Sequence, residues 1–77
     1  MTTNLLARLD GILRDVRVKE GQEVNVRDEL YVVEAAKSEL FVRAPYAGRV
    51  AKILRGAGDQ VKAQDVVVIL DVANKST

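Results

Sequence analysis

A chain of 77 residues with net charge +1 and neither cysteine nor histidine has room for one small domain, near the lower limit for a self-supporting core. The composition excludes a disulfide framework and thiolate chemistry, and it removes the commonest general base and metal ligand. The hydrophobic fraction of 48% and the charged fraction of 30% are ordinary for a folded globular domain, and the balanced charge gives no case for a nucleic-acid or membrane partner.

The first residues, Met1-Thr2-Thr3-Asn4-Leu5-Leu6-Ala7, have no basic region and no long apolar run, so they do not read as a signal peptide. No apolar run approaches the ~20 residues needed to span a bilayer. A cytoplasmic location is expected, since a reducing compartment suits a chain without cysteine. Neither end is rich in proline, alanine or glycine, and the chain is expected to be a free-standing unit, one domain over 1–77 with its core about 5–73.

Gly11 opens a strand-like run, Ile12-Leu13-Arg14-Asp15-Val16-Arg17-Val18. Leu13 and Val16 are three apart, a helical spacing. Two short strand pieces separated by a bulge or bend account for it better, because a bulge moves the inward face by one residue. A helix between the flanking glycines would have under three turns. A glycine turn follows at Lys19-Glu20-Gly21-Gln22, then Val24, then polar residues to Asp28, then a second strand, Leu30-Tyr31-Val32-Val33-Glu34. Ser38-Glu39-Leu40-Phe41-Val42-Arg43 is again extended, with Leu40 and Val42 on one face and Phe41 on the other. Pro45 then turns the chain at Ala44-Pro45-Tyr46-Ala47-Gly48.

From Gly48 the pattern repeats. A shift of 37 residues lays Ala7 on Ala44, Gly11 on Gly48, Gly21 on Gly58, Val24 on Val61 and Asp28 on Asp65. The run Arg49 to Arg55, the turn Gly56 to Asp59 and the strand Val66 to Asp71 repeat the earlier elements in order. Glycines at matching places imply a positive φ or a close backbone approach. Two copies of a β-unit, neither covering its own apolar face, predict an all-β flattened barrel sandwich with pseudo-twofold related halves. Glu34-Ala35-Ala36-Lys37-Ser38 lies between two strands at the join, at a length that suits a hairpin. The fold therefore places Lys37 on a hairpin tip and its repeat counterpart Asn74 near the opposite end.

These residues resemble a known family. Glu34-Ala35-Ala36-Lys37-Ser38 is similar to the Glu-Ala-Met-Lys-Met signature of biotinyl carrier domains. Ala44-Pro45-Tyr46-Ala47-Gly48-Arg49-Val50 resembles the Ala-Pro-x-x-Gly-x-Val segment of biotinyl and lipoyl domains, and Val18-Lys19-Glu20-Gly21-Gln22-Glu23-Val24 their Val-Lys-Glu-Gly-Asp-x-Val. The resemblance implies a barrel-sandwich fold and a non-catalytic carrier with its prosthetic group on Lys37. Biotin is the implied cofactor, carrying carboxylate between a biotin carboxylase and a carboxyltransferase after attachment by a biotin protein ligase. Ala36 and Ser38 stand where the biotinyl signature has methionines, and the first turn, Ala7 to Gly11, lacks the family's prolines. Ser38 also suits a lipoyl domain, which has a small residue after the lysine, whereas Ala36 is not the Asp that usually precedes the lysine there. Lipoate, attached by a lipoate ligase and serving a 2-oxo acid dehydrogenase system, is the alternative. Glu34 is expected to set the charge or orientation of the hairpin for the ligase, while Ala35, Ala36 and Ser38 keep bulk away from the attachment point.

Other readings have less to carry them. Arginines recur along the chain, but acids are interspersed among them, and Tyr31, Phe41 and Tyr46 make no stacking platform for a nucleic acid. No nucleophile–base constellation stands out for an enzyme. An unmodified β-barrel interaction module is the remaining alternative.

Overall fold

The structure, a computed structural model, describes residues 1–72. Eight strands lie within them: β1 (Thr2–Leu6), β2 (Gly11–Val16), β3 (Glu23–Val24), β4 (Glu29–Glu34), β5 (Glu39–Arg43), β6 (Gly48–Ile53), β7 (Gln60–Val61) and β8 (Val66–Val72). They form two four-stranded sheets, β1-β8-β6-β3 and β5-β4-β2-β7, with every pairing antiparallel. Inward side chains of both sheets meet in one cluster, which includes Leu5, Leu13, Leu30, Tyr31, Val50, Val67 and Leu70. This is the flattened barrel sandwich that the repeat implied. No helix of the described residues is long and apolar enough to cross a membrane.

The 37-residue repeat reaches further than its sequence matches. It carries β2 onto β6, β3 onto β7 and β4 onto β8, and also β1 onto β5. Thr2–Leu6 is thus a strand in its own right, with Leu5 in the core where Val42 stands in the other half. The hydrogen bonds repeat as well. Leu13 N donates to Asp59 O (2.8 Å) and Val50 N to Gln22 O (2.8 Å); Gly58 N donates to Leu13 O (2.6 Å) and Gly21 N to Val50 O (2.7 Å). Each glycine turn therefore bonds to the strand of the other half, so the short strands β3 and β7 join the opposite copy's sheet. The sequence halves do not form separate sheets but exchange a piece. Gly21 and Gly58, with φ of 87° and 94°, make the turns that carry the chain across.

The bulges are where the three-residue spacing placed them. Leu13 pairs with Val33 and Asp15 with Val32, leaving Arg14 as the extra residue. Val50 pairs with Leu70 and Lys52 with Ile69, leaving Ala51. An extra residue lets both Leu13 and Val16 face inward. The regular strands stop at Val16 and Ile53, short of the apolar runs read from the sequence.

Tyr31 joins the two sheets. Its ring is wholly buried, and its hydroxyl donates to the carbonyl of Leu6 on the other sheet (2.7 Å). Burial pushes the phenol well above the usual tyrosine range, with the Arg8 guanidinium pulling it part of the way back.

Candidate functional site

The join between the halves is a tight hairpin from β4 to β5. Glu34 pairs with Glu39 at its neck, and Ala35 N donates to Ser38 O (2.8 Å) above them. Ala36 and Lys37 make the tip. Among the described residues only Arg8 and Arg27 are non-glycines with positive φ. The tip is therefore not one of the primed turns that favour glycine or asparagine, and a lysine sits there without backbone strain.

Ala36, Lys37 and Ser38 are exposed, as is Glu34, while Ala35 is half-buried. Among the described residues no ion pair takes the Lys37 ammonium. The amine is reachable, its neighbours are small, and β4 and β5 pair beneath it from Tyr31 to Glu34. An acyl group could be joined to it without disturbing a core contact. The residues present thus fit a group held by an amide on the lysine.

Two supports of this hairpin were not assigned a role at the site from sequence. The first is Gly11. A Cβ there would overlap the Glu34 carbonyl and come within 3.3 Å of the Ala35 Cα, so the bare backbone of β2 seats the hairpin neck. Gly48 does the same beneath Asp71 at the other end. The matching glycines of the repeat therefore divide by cause: Gly21 and Gly58 serve conformation, and Gly11 and Gly48 serve proximity. The second support is Glu39, which faces Glu34 across the neck and forms an ion pair with Arg14 from the bulge. That pair offsets some of the repulsion between two facing carboxylates. The sequence signal for it was weak, since Arg14 and Glu39 are far apart in the chain.

At the opposite end Val72 N donates to Met1 O (2.7 Å). This bond is the repeat counterpart of Ala35 to Ser38, with Met1 in the place of Ser38. Asn74, the counterpart of Lys37, lies outside the described residues.

Residues 7–70 match the family described as Biotin-requiring enzyme, the biotin/lipoyl domain. The chain belongs to the biotinyl/lipoyl attachment family. Members similar to it include pyruvate carboxylase of Aspergillus niger, 38% identical over 61 residues, which are 79% of this chain and 5% of that protein. Another is the dihydrolipoyllysine-residue acetyltransferase component of the pyruvate dehydrogenase complex of Mycoplasma capricolum, 37% identical over 62 residues, 80% of this chain and 14% of that one. The fold matches part of a single-chain, multi-domain long-chain acyl-CoA carboxylase, with TM-score 0.87 and 27% identity over 97% of this chain and 7% of the other. The chain thus spans a small fraction of each of these biotinyl/lipoyl relatives.

Proposed function

We propose that this chain is a covalent carrier, with biotin joined through an amide to the Nζ of Lys37. The observation that carries this reading is the exposed lysine, without an ion-pair partner among the described residues, on an unstrained hairpin tip in a chain that belongs to the biotinyl/lipoyl family. Carboxylases among the relatives, and Ala35 before the lysine, favour biotin over lipoate. Chain length does not separate the two, because both kinds of relative are far longer.

The chain's own part is presentation. An ordinary lysine amine is protonated at neutral pH, so a biotin protein ligase must remove that proton before the amine attacks an activated acyl group. Ala36 and Ser38 leave room for this approach, and Gly11 holds the neck on the rigid sheet. Once attached, biotin supplies a ring nitrogen that takes up and gives up carboxylate. The long lysine stem lets the group move between a biotin carboxylase and a carboxyltransferase. The domain positions the group and catalyses neither step.

Lipoate on Lys37 is the second reading, favoured by Ser38 and by the acetyltransferase relative. Co-expression with a biotin ligase or, separately, a lipoate ligase, followed by intact-mass measurement, decides between them. A biotin adduct on the native chain that is absent from Lys37→Ala is expected. An adduct that persists in Lys37→Ala removes the site assignment, and no adduct with either ligase removes the carrier reading.

A further inference from the structure

The two halves of this fold act as controls for one another. They share strands, bulges and turns, so a feature present on one outer face and missing from the other is not required by the scaffold. The outer face of the lysine-bearing sheet has such a feature. Arg14 and Asp15 leave the bulge side by side, Arg17 follows, and Glu39 and Phe41 stand on β5, two strands away across β4. Together with Val32 they enclose a recess of about 250 Å³. Arg14 pairs with Glu39, Arg17 Nε donates to Asp15 Oδ2 (3.2 Å), and the Arg17 guanidinium lies 5.8 Å from the centre of the Phe41 ring. The repeat counterparts of Arg14, Arg17, Glu39 and Phe41 are Ala51, Leu54, Thr2 and Asn4, which could build nothing of the kind.

We propose that this recess is a docking cradle for the head group of the Lys37 arm, so that the arm can rest on its own domain between transfers. The inference rests on the biotin reading. Chemistry and reach both support it. The head group is a fused cyclic urea with two N–H donors and a carbonyl acceptor, beside a sulfur-containing apolar ring. The carboxylates of Asp15 and Glu39 accept from the former, and the spare guanidinium N–H groups of Arg14 and Arg17 donate to the carbonyl. Val32 is a buried, apolar floor. Phe41, 43% exposed, offers a ring edge to the sulfur. Phe41 lies four residues along the chain from Lys37, so at ~3.4 Å per residue the recess is roughly 14 Å from the tip. The lysine stem and acyl chain together extend about 14 Å before the ring begins, at ~1.25 Å of advance per bond. A lipoyl head has no urea and would not engage the charged groups.

The test compares amide chemical shifts of the full chain before and after enzymatic biotinylation, with intact mass confirming the adduct. Expected are shifts at Arg14, Asp15, Val32 and Phe41 as well as at the hairpin, and contacts between head-group protons and the Phe41 ring. The distant shifts should vanish in Phe41→Ala and shrink in Glu39→Gln, both changes at surface positions. A full adduct with shifts confined to residues 35–38 and no contact to Phe41 overturns the cradle while leaving the carrier reading intact. Absence of any biotin adduct overturns both. A lipoylated chain that shows the same distant shifts overturns the assignment to urea chemistry.

Discussion

Gly11 lies against Glu34 so closely that no other residue fits: a Cβ on Gly11 would overlap the Glu34 carbonyl. That contact ties the base of the lysine hairpin to the neighbouring strand. Gly11→Ala must push the hairpin aside, at a cost of about 1–3 kcal/mol by comparison with other overpacked sites. Gly48→Ala makes the same clash beneath Asp71. Both variants should lose comparable stability in urea unfolding, but only Gly11→Ala should also slow modification of Lys37, measured by intact mass against time of ligase treatment. Equal slowing in the two variants would show that stability alone, rather than the seating of the hairpin, governs the ligase reaction.

Tyr31→Phe keeps the ring in the core but leaves the Leu6 carbonyl without its cross-sheet donor. The expected loss is about 1–2 kcal/mol at neutral pH. The variant should also change the pH dependence. An unfolded tyrosine releases its proton near pH ~10, whereas the buried Tyr31 keeps it to higher pH. Above that point the unfolded state binds fewer protons than the folded state, so stability falls as pH rises. Below it the contribution is fully present. Urea midpoints measured from pH ~8 to ~11 should therefore fall more steeply for the native chain than for Tyr31→Phe.

The two residues flanking Lys37 are expected to set the choice of prosthetic group. Ala36→Met with Ser38→Met restores the biotinyl signature and should raise the rate of biotinylation several-fold. Ala36→Asp places an acid before the lysine, as in lipoyl domains, and should favour lipoate ligase. Both positions are exposed, so stability should stay within about 0.5 kcal/mol of the native value. Mass spectrometry after parallel reactions with each ligase reads the outcome.

Leu13 has no solvent exposure and sits at the start of the first bulge. Leu13→Ala should cost about 2–5 kcal/mol. A chain of this size has a total stability of about 4–12 kcal/mol, so the variant should be close to unfolding at room temperature. Lys37→Ala at the hairpin tip should leave the denaturant midpoint unmoved, which circular dichroism would show directly.

Much of this architecture was legible because it was written twice. The glycines, the valines after the turns and the closing aspartates recur at a fixed interval, and a repeat of short strands with exposed outer faces admits few packings. The three-residue spacing of Leu13 and Val16 was enough to place a bulge. Thr2–Leu6 was harder to see as a strand. Its polar start has no strand signature, and only pairing with β8 shows that it occupies the place of β5. The exchange of β3 and β7 between halves was equally hidden, since two-residue strands take their register from hydrogen bonds to a distant partner rather than from any local pattern.

At the site itself, sequence alone located Lys37 between two strands and made the two ends of a symmetric scaffold chemically unequal. That follows from local rules, because turn residues and periodicity act over a few positions and survive in a one-dimensional reading. What surrounds the lysine was decided only by the tertiary structure. Gly11 meets Glu34, Arg14 meets Glu39, and Tyr31 reaches Leu6 because antiparallel pairing and the stacking of two sheets bring together residues separated by tens of positions. Such contacts depend on register and on the bulge that turns Arg14 outward, and both are set by the packing of the whole barrel.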